Sequence, residues 1–212
     1  PDYQRIVDSA EAGVKVVVLD VNQDGMTQIA AALKGMHDIA SISIVSHGDN
    51  GLLLLGNAAL FSADLDRYQT QLQDIGAALK PGGDILLYGC EVGQGSAGRA
   101  FIDSLSARTG AVVAASTDAT GGTAAGGNWD LEIATGTLHS TAAFDTAQLG
   151  DYDHLLVTRS VNNIVDLKAA IATGNTDGVD DIITLTGDIT FASADDTVAI
   201  SVTDGHKMTV VG

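Results

Sequence analysis

The chain of 212 residues carries 27 acidic against 10 basic side chains, a formal net charge of −17. Such a surface repels nucleic acid and anionic membranes and suits a protein living with divalent cations. Hydrophobic residues make up 45% and aromatic residues 4%. The core is therefore built from Val, Ile, Leu and Ala, and the length fits one large domain or two smaller ones.

Val14–Leu19 (VKVVVL) is a β-branched run closed by Asp20 and predicts a first strand. Ile29, Leu33 and Met36 follow at helical spacing, and Ile39–Val45 is the next strand. The polar turn Asp49-Asn50-Gly51 leads into Leu52–Leu55 and predicts a hairpin-type reversal. Leu65, Tyr68, Leu72, Ile75 and Leu79 recur at spacings of three and four, an amphipathic helix ended by Pro81-Gly82-Gly83. Ile85–Tyr88 is a strand. Ser96 caps a helix carrying Phe101, Ile102 and Leu105, and Ala111–Ala115 is a further strand. This alternation predicts an α/β fold, a mainly parallel sheet with helices on its faces. Beyond Ser116 the pattern changes. Gly121, Gly122, Gly126 and Gly127 mark a mobile loop, and Trp129–Ala134 and Leu138–Phe144 read as short antiparallel strands at the sheet edge.

The composition shifts again over 151–163, which reads as a linker after a domain spanning 1–150. Ile164–Ile171 then reads as a short helix. Ile182–Leu185, Ile189–Phe191, Val198–Val202 and Met208–Val211 are short β segments without intervening helices. They predict that 164–212 begins a β-solenoid, with a β-sandwich as the alternative. The start on Pro1 and the end in mid-strand lead us to expect a piece of a larger protein, whose compartment a missing leader leaves open. No apolar stretch approaches the roughly 20 residues needed to span a bilayer.

Two strand ends concentrate the chemistry. ISIVSHG (42–48) and ILLYGC (85–90) each stop at a reactive side chain beside a glycine, His47 before Gly48 and Cys90 after Gly89. In an open α/β sheet the crevice lies outside the carboxyl ends of the strands. A thiol and an imidazole delivered there make a nucleophile with its proton shuttle. The glycine-rich turn and helix after Cys90 favour its thiolate through backbone amides and the helix dipole. Gly89 leaves room for a substrate backbone, and the amides of Gly48 and Cys90 can donate to an oxyanion. The alternative is a packed thiol and a strand-capping histidine.

This layout, a strand ending in His-Gly, a hairpin, a helix and a strand ending in Gly-Cys, resembles the caspase-like (clan CD) cysteine peptidases. Legumains, gingipains, separases, CHAT domains and the self-processing domains of bacterial toxins share it. SHG, LYGC, STDATGG and NWDLE, in order over Val14–Phe144, more narrowly resemble a domain family of unknown function near the N-terminus of giant bacterial adhesins and RTX-type exoproteins. The resemblance implies a caspase-like three-layer α/β/α fold and a His47–Cys90 dyad with Gly48 supplying an oxyanion amide. It implies further that Ser116-Thr117-Asp118 helps line the pocket for the residue before the scissile bond. Asp118 would there select Arg or Lys, or else simply cap a turn. The expected substrate is a polypeptide, the chain's own linker included, with cleavage near Arg159. The expected location is secreted or at the bacterial surface.

Other motifs compete. Gly93-Gln94-Gly95-Ser96-Ala97-Gly98 matches G-x-G-x-x-G, with Asp118 twenty residues beyond it, but Cys90-Glu91-Val92 separates it from the strand where a dinucleotide turn begins at once. Asp20, Asn22, Asp24 and Gly25 match the start of a calcium loop, yet Ala31 stands where the bidentate acid belongs; a helix capped by Asp24 is the alternative. Asn175, Asp177, Asp180, Asp181, Asp195 and Asp196 offer Ca²⁺ ligands in solenoid turns or are solvated loops. The dyad chemistry itself requires no cofactor.

Overall fold

Leucine and β-branched runs build the sheet around which the N-terminal part of the chain folds, and its central strands are buried on both sides. The computed structural model describes residues 3–161, 164–174, 181–185 and 208–211. Its chain divides between Leu156 and Val157, inside the stretch 151–163. The N-terminal unit runs through α1 (Tyr3–Asp8), α2 (Gly25–Leu33), β1 (Ile39–Val45), β2 (Gly48–Asp49), β3 (Leu52–Leu55) and β4 (Ala58–Phe61). It continues with a 3-10 turn (Ser62–Tyr68), α3 (Gln69–Ala78), β5 (Leu79–Tyr88), α4 (Gly95–Thr109), β6 (Val112–Ala115) and β7 (Ile133–Ala134). The main sheet has the order β1-β5-β6-β7, parallel except for β7. A separate antiparallel meander joins β2, β3 and β4. The fold is thus mixed α/β with a mainly parallel sheet.

Alternation along β5 assigns its two faces. Ile85 and Leu87 join Val113 and Ala115 of β6 in a core closed by Leu72 and Ile75 of α3 and by Phe101, Ile102 and Leu105 of α4. Leu86, Tyr88 and Ala114 point the other way, against Phe144, Leu149 and Tyr152. On this second face Tyr88 and Trp129 both meet the Phe144 ring edge-on, at centroid distances of 4.9 and 5.4 Å. Helices cover the first face. The second is covered by α1 and by irregular chain, whose aromatic rings supply the apolar area that a helix pair would otherwise bring. The expected α/β/α layering is therefore replaced on this side.

Several expected elements differ. Val14–Leu19 forms no strand: Val16, Val17 and Val18 are 43–57% exposed, and no ladder pairs this run with β1. Its valines face solvent and Leu19 packs against the core, so β propensity alone does not recruit the run into the sheet. β5 starts at Leu79, directly after α3, and carries Pro81-Gly82-Gly83 through a register shift opposite Ile39/Ser41. Gln94, not Ser96, takes the N-cap position of α4. Only Ile133–Ala134 of the two expected edge strands pairs in the sheet. Leu138–Phe144 is held otherwise: the His139 amide donates to the buried Asp84 carboxylate at 2.9 Å, and Phe144 bridges Ala10. The glycine loop is ordered, since Gly121 donates to Asn128 and Gly127 to Gly122.

In the C-terminal unit, β8 (Arg159–Val161), β9 (Asp181–Leu185) and β10 (Met208–Val211) form a parallel sheet of order β10-β9-β8, with α5 (Ile164–Gly174) between the first two. The expected strands at 189–191 and 198–202, and Asn175, Asp177, Asp180, Asp195 and Asp196, lie outside the described residues.

The contrast between buried and exposed apolar residues is testable. Leu72→Ala, at 1% exposure, should cost about 2–5 kcal/mol in a denaturant melt, whereas Val17→Ala, at 47%, should cost less than about 0.5 kcal/mol. A large loss in Val17→Ala would place that run in the sheet after all.

Candidate active site

β1 and β5 are parallel neighbours with Val45 opposite Tyr88, so His47 and Cys90 each stand two residues beyond the last paired rung. The backbone beyond that rung is pinned. The Ser46 amide donates to Tyr88 O at 3.0 Å, and the His47 carbonyl accepts from the Leu54 amide at 3.0 Å. The two strand ends press together so closely that a Cβ on Gly48 would lie 2.4 Å from Val92 Cγ2, and one on Gly89 2.8 Å from Ser46 O. Gly89 thus serves the approach of the chain to itself, not of a substrate. Immediately after Cys90, Glu91 adopts φ 59°, a left-handed conformation uncommon outside glycine that turns the chain sharply at the thiol.

The amides of Gly48 and Cys90 converge on one acceptor. Both donate to the carbonyl oxygen of Leu156, at 3.0 and 3.3 Å. The segment that delivers this oxygen lies antiparallel to 120–122: Leu156 N donates to Thr120 O at 2.9 Å, Gly122 N donates to His154 O at 2.9 Å, and Leu155 bridges Gly121. Glycine permits that contact. A Cβ on Gly122 would sit 1.5 Å from Tyr152 O, and one on Gly121, which has φ 141°, 2.3 Å from His154 O. The Leu156 side chain is buried. Thr120, Gly121, Gly122 and Leu156 were not foreseen from the sequence. Of these only the Gly-Gly pair carries a signal, because the rest act through their backbones.

Cys90 is 2% exposed. Its sulfur accepts from Thr120 N at 3.2 Å and donates to Thr120 O at 3.4 Å. Burial pushes the thiol up to about 11; the Thr120 and Leu156 backbone amides oppose the rise, and the charges of Glu91 and Asp118 add to it. The expected thiolate is therefore absent at neutral pH in this state, because burial outweighs the amides. His47 is half-buried at the neighbouring strand end.

The remaining candidates have other uses. Both oxygens of Asp118 accept from Asn128 Nδ2, at 3.1 and 3.0 Å, and Ser116 Oγ donates to one of them. Asp118 therefore closes a turn. Asp24 caps α2 by accepting from Thr27 N, and Asp20 accepts from Asn22 and Gln23. Among the described residues no group of three or more His, Cys, Asp or Glu is placed to hold a metal, and no helix is long and apolar enough to cross a membrane. In the G-x-G-x-x-G segment, a Cβ on Gly98 would meet Gly93 at 2.2 Å and one on Gly93 would meet Ile133 at 2.5 Å. These glycines serve internal packing. Arg159 lies in β8, beyond the division at Leu156.

The chain belongs to the family described as Domain of unknown function (DUF4347), whose model matches residues 1–156. No curated protein and no solved structure matches it significantly.

Two outcomes follow for the thiol. Its alkylation by iodoacetamide should be slow at pH 7 and rise about tenfold per pH unit toward 11, because only the thiolate reacts. The folded value exceeds the ordinary 9.0, so the stabilisation is fully present below pH 9 and is lost as pH rises through 11, a loss of about 2–3 kcal/mol. Gly122→Ala should displace the 152–156 segment and speed Cys90 alkylation at pH 7 at least tenfold; an unchanged rate would show that this segment does not shield the thiol.

Proposed function

We propose that the N-terminal unit is a cysteine endopeptidase domain of caspase-like architecture, in which Cys90 is the nucleophile and His47 the proton shuttle. One observation carries the reading: the amides of Gly48 and Cys90 meet at a single peptide carbonyl, 3.0 and 3.3 Å away. Two converging amides stabilise the charge that develops on a carbonyl oxygen under attack. In the reaction, the Cys90 thiol gives its proton to His47 and the sulfur attacks the carbonyl carbon. His47 then protonates the departing amide nitrogen, and water, activated by His47, releases the acyl group from sulfur. The parallel adjacency of β1 and β5 and the meander following His47 support the caspase-like comparison.

The wider setting we propose is a secreted or surface-displayed bacterial adhesin. The stacking of β8, β9 and β10, with Arg159 opposite Ile183 and Ile183 opposite Val210, supports a β-solenoid after the peptidase unit. A second reading, an inactive module that keeps the peptidase fold, draws support from the buried, protonated thiol.

Peptidyl acyloxymethyl ketone separates the two. In Gly122→Ala it should label Cys90 at least tenfold faster than in Gly122→Ala/His47→Ala. Labelling indifferent to His47 would establish the inactive module.

A further inference from the structure

We infer that the peptide bond between Leu156 and Val157 is the chain's own substrate, cut in cis by Cys90. The inference rests on the peptidase reading and adds to it the identity of the bond. Four independent observations meet at this bond. Leu156 O is the oxygen held by the Gly48 and Cys90 amides. Residues 154–156 lie antiparallel along Thr120–Gly122, with Leu156 N bonded to Thr120 O and His154 O to Gly122 N. An extended peptide adding itself to an exposed backbone edge is a general mode of substrate capture. Leu156 is 6% exposed, so the residue before the bond is held out of solvent. Finally, the chain divides into its two units between Leu156 and Val157, and the family match ends at residue 156.

The step balances within the chain plus one water. The Cys90 sulfur bonds to the Leu156 carbonyl carbon while its proton passes to His47. The C–N bond to Val157 breaks as His47 returns that proton to the Val157 nitrogen, leaving Leu156 as a thioester on Cys90. Water adds to the thioester, one proton returning to sulfur, and the products are a Leu156 carboxylate and a Val157 amine. The cleaved bond then follows an apolar residue, and Asp118 serves the turn through its bonds with Asn128 and Ser116.

The test uses the full 212-residue chain, incubated with reductant from pH 6 to 9, with and without Ca²⁺, and read by intact mass and N-terminal sequencing. The expected result is one new N-terminus at Val157, absent from Cys90→Ala, slowed at least tenfold in Leu156→Asp and unchanged in Arg159→Ala. Val157→Pro, which turns the bond into a tertiary amide without touching Leu156, should also block the cut and guards against misfolding of Leu156→Asp. A Cys90-dependent cut elsewhere, for example after Arg159, would overturn this assignment and leave the peptidase reading standing. An intact chain in which the acyloxymethyl ketone still labels Cys90 in a His47-dependent way would do the same. An intact chain with no such labelling would overturn both.

Discussion

Two amides aimed at one carbonyl oxygen set the conditions that the rest of the N-terminal unit meets. To bring Gly48 N and Cys90 N within 3.0 and 3.3 Å of Leu156 O, β1 and β5 must be parallel neighbours in matching register. Their ends must also approach more closely than any side chain at Gly48 or Gly89 allows. The third wall has the same requirement. Gly121 and Gly122 lack the Cβ atoms that would collide with the backbone of 152–155. Glycine is costly in regular structure, and these four stand where its absent side chain has a direct geometric use.

The same closeness determines the state of the thiol. Seating 152–156 against Thr120 buries Cys90, and burial raises its pKa to about 11. A thiol in this condition is a poor general nucleophile in solution. It differs from an inert core cysteine in its neighbours: its sulfur accepts from the Thr120 amide, its own amide donates to Leu156 O, and the residue after it holds a left-handed conformation. Charge development at the carbonyl, not the resting pKa alone, decides how such a site performs.

The sheet was legible in the sequence because Ile85–Tyr88 of β5 and most of β6 are buried on both faces and read as apolar runs, and because isoleucines alternate with serines along the half-buried edge strand β1. The hairpin after His47 was legible through Asn50-Gly51, and Gly51 does take φ 69°. Val14–Leu19 has the same composition yet stays exposed, since burial depends on a partner layer that a local pattern does not encode. β4 was missed because Ala58–Phe61 is short and opens on two alanines, which carry little β propensity. The irregular cover of the second face was missed because Trp129, Phe144 and Tyr152 are far apart in sequence and meet only in space. His47, Gly48 and Cys90 stood out by residue type. Leu156 did not, because its part is played by its carbonyl and amide, and every residue but proline carries both.

That backbone character bears on specificity. A peptidase acting on free substrates must draw its selectivity from side-chain pockets, since backbone pairing is common to all sequences. A peptide tethered to the unit that holds it is already present at a high effective concentration. In the self-cleavage proposed above, two backbone hydrogen bonds along Thr120–Gly122, a buried leucine and the Gly48 and Cys90 amides on Leu156 O would together choose one bond. Under that proposal the bonds that seat Leu156 before the cut would also hold its carboxylate afterwards, which favours a single turnover per chain over repeated catalysis.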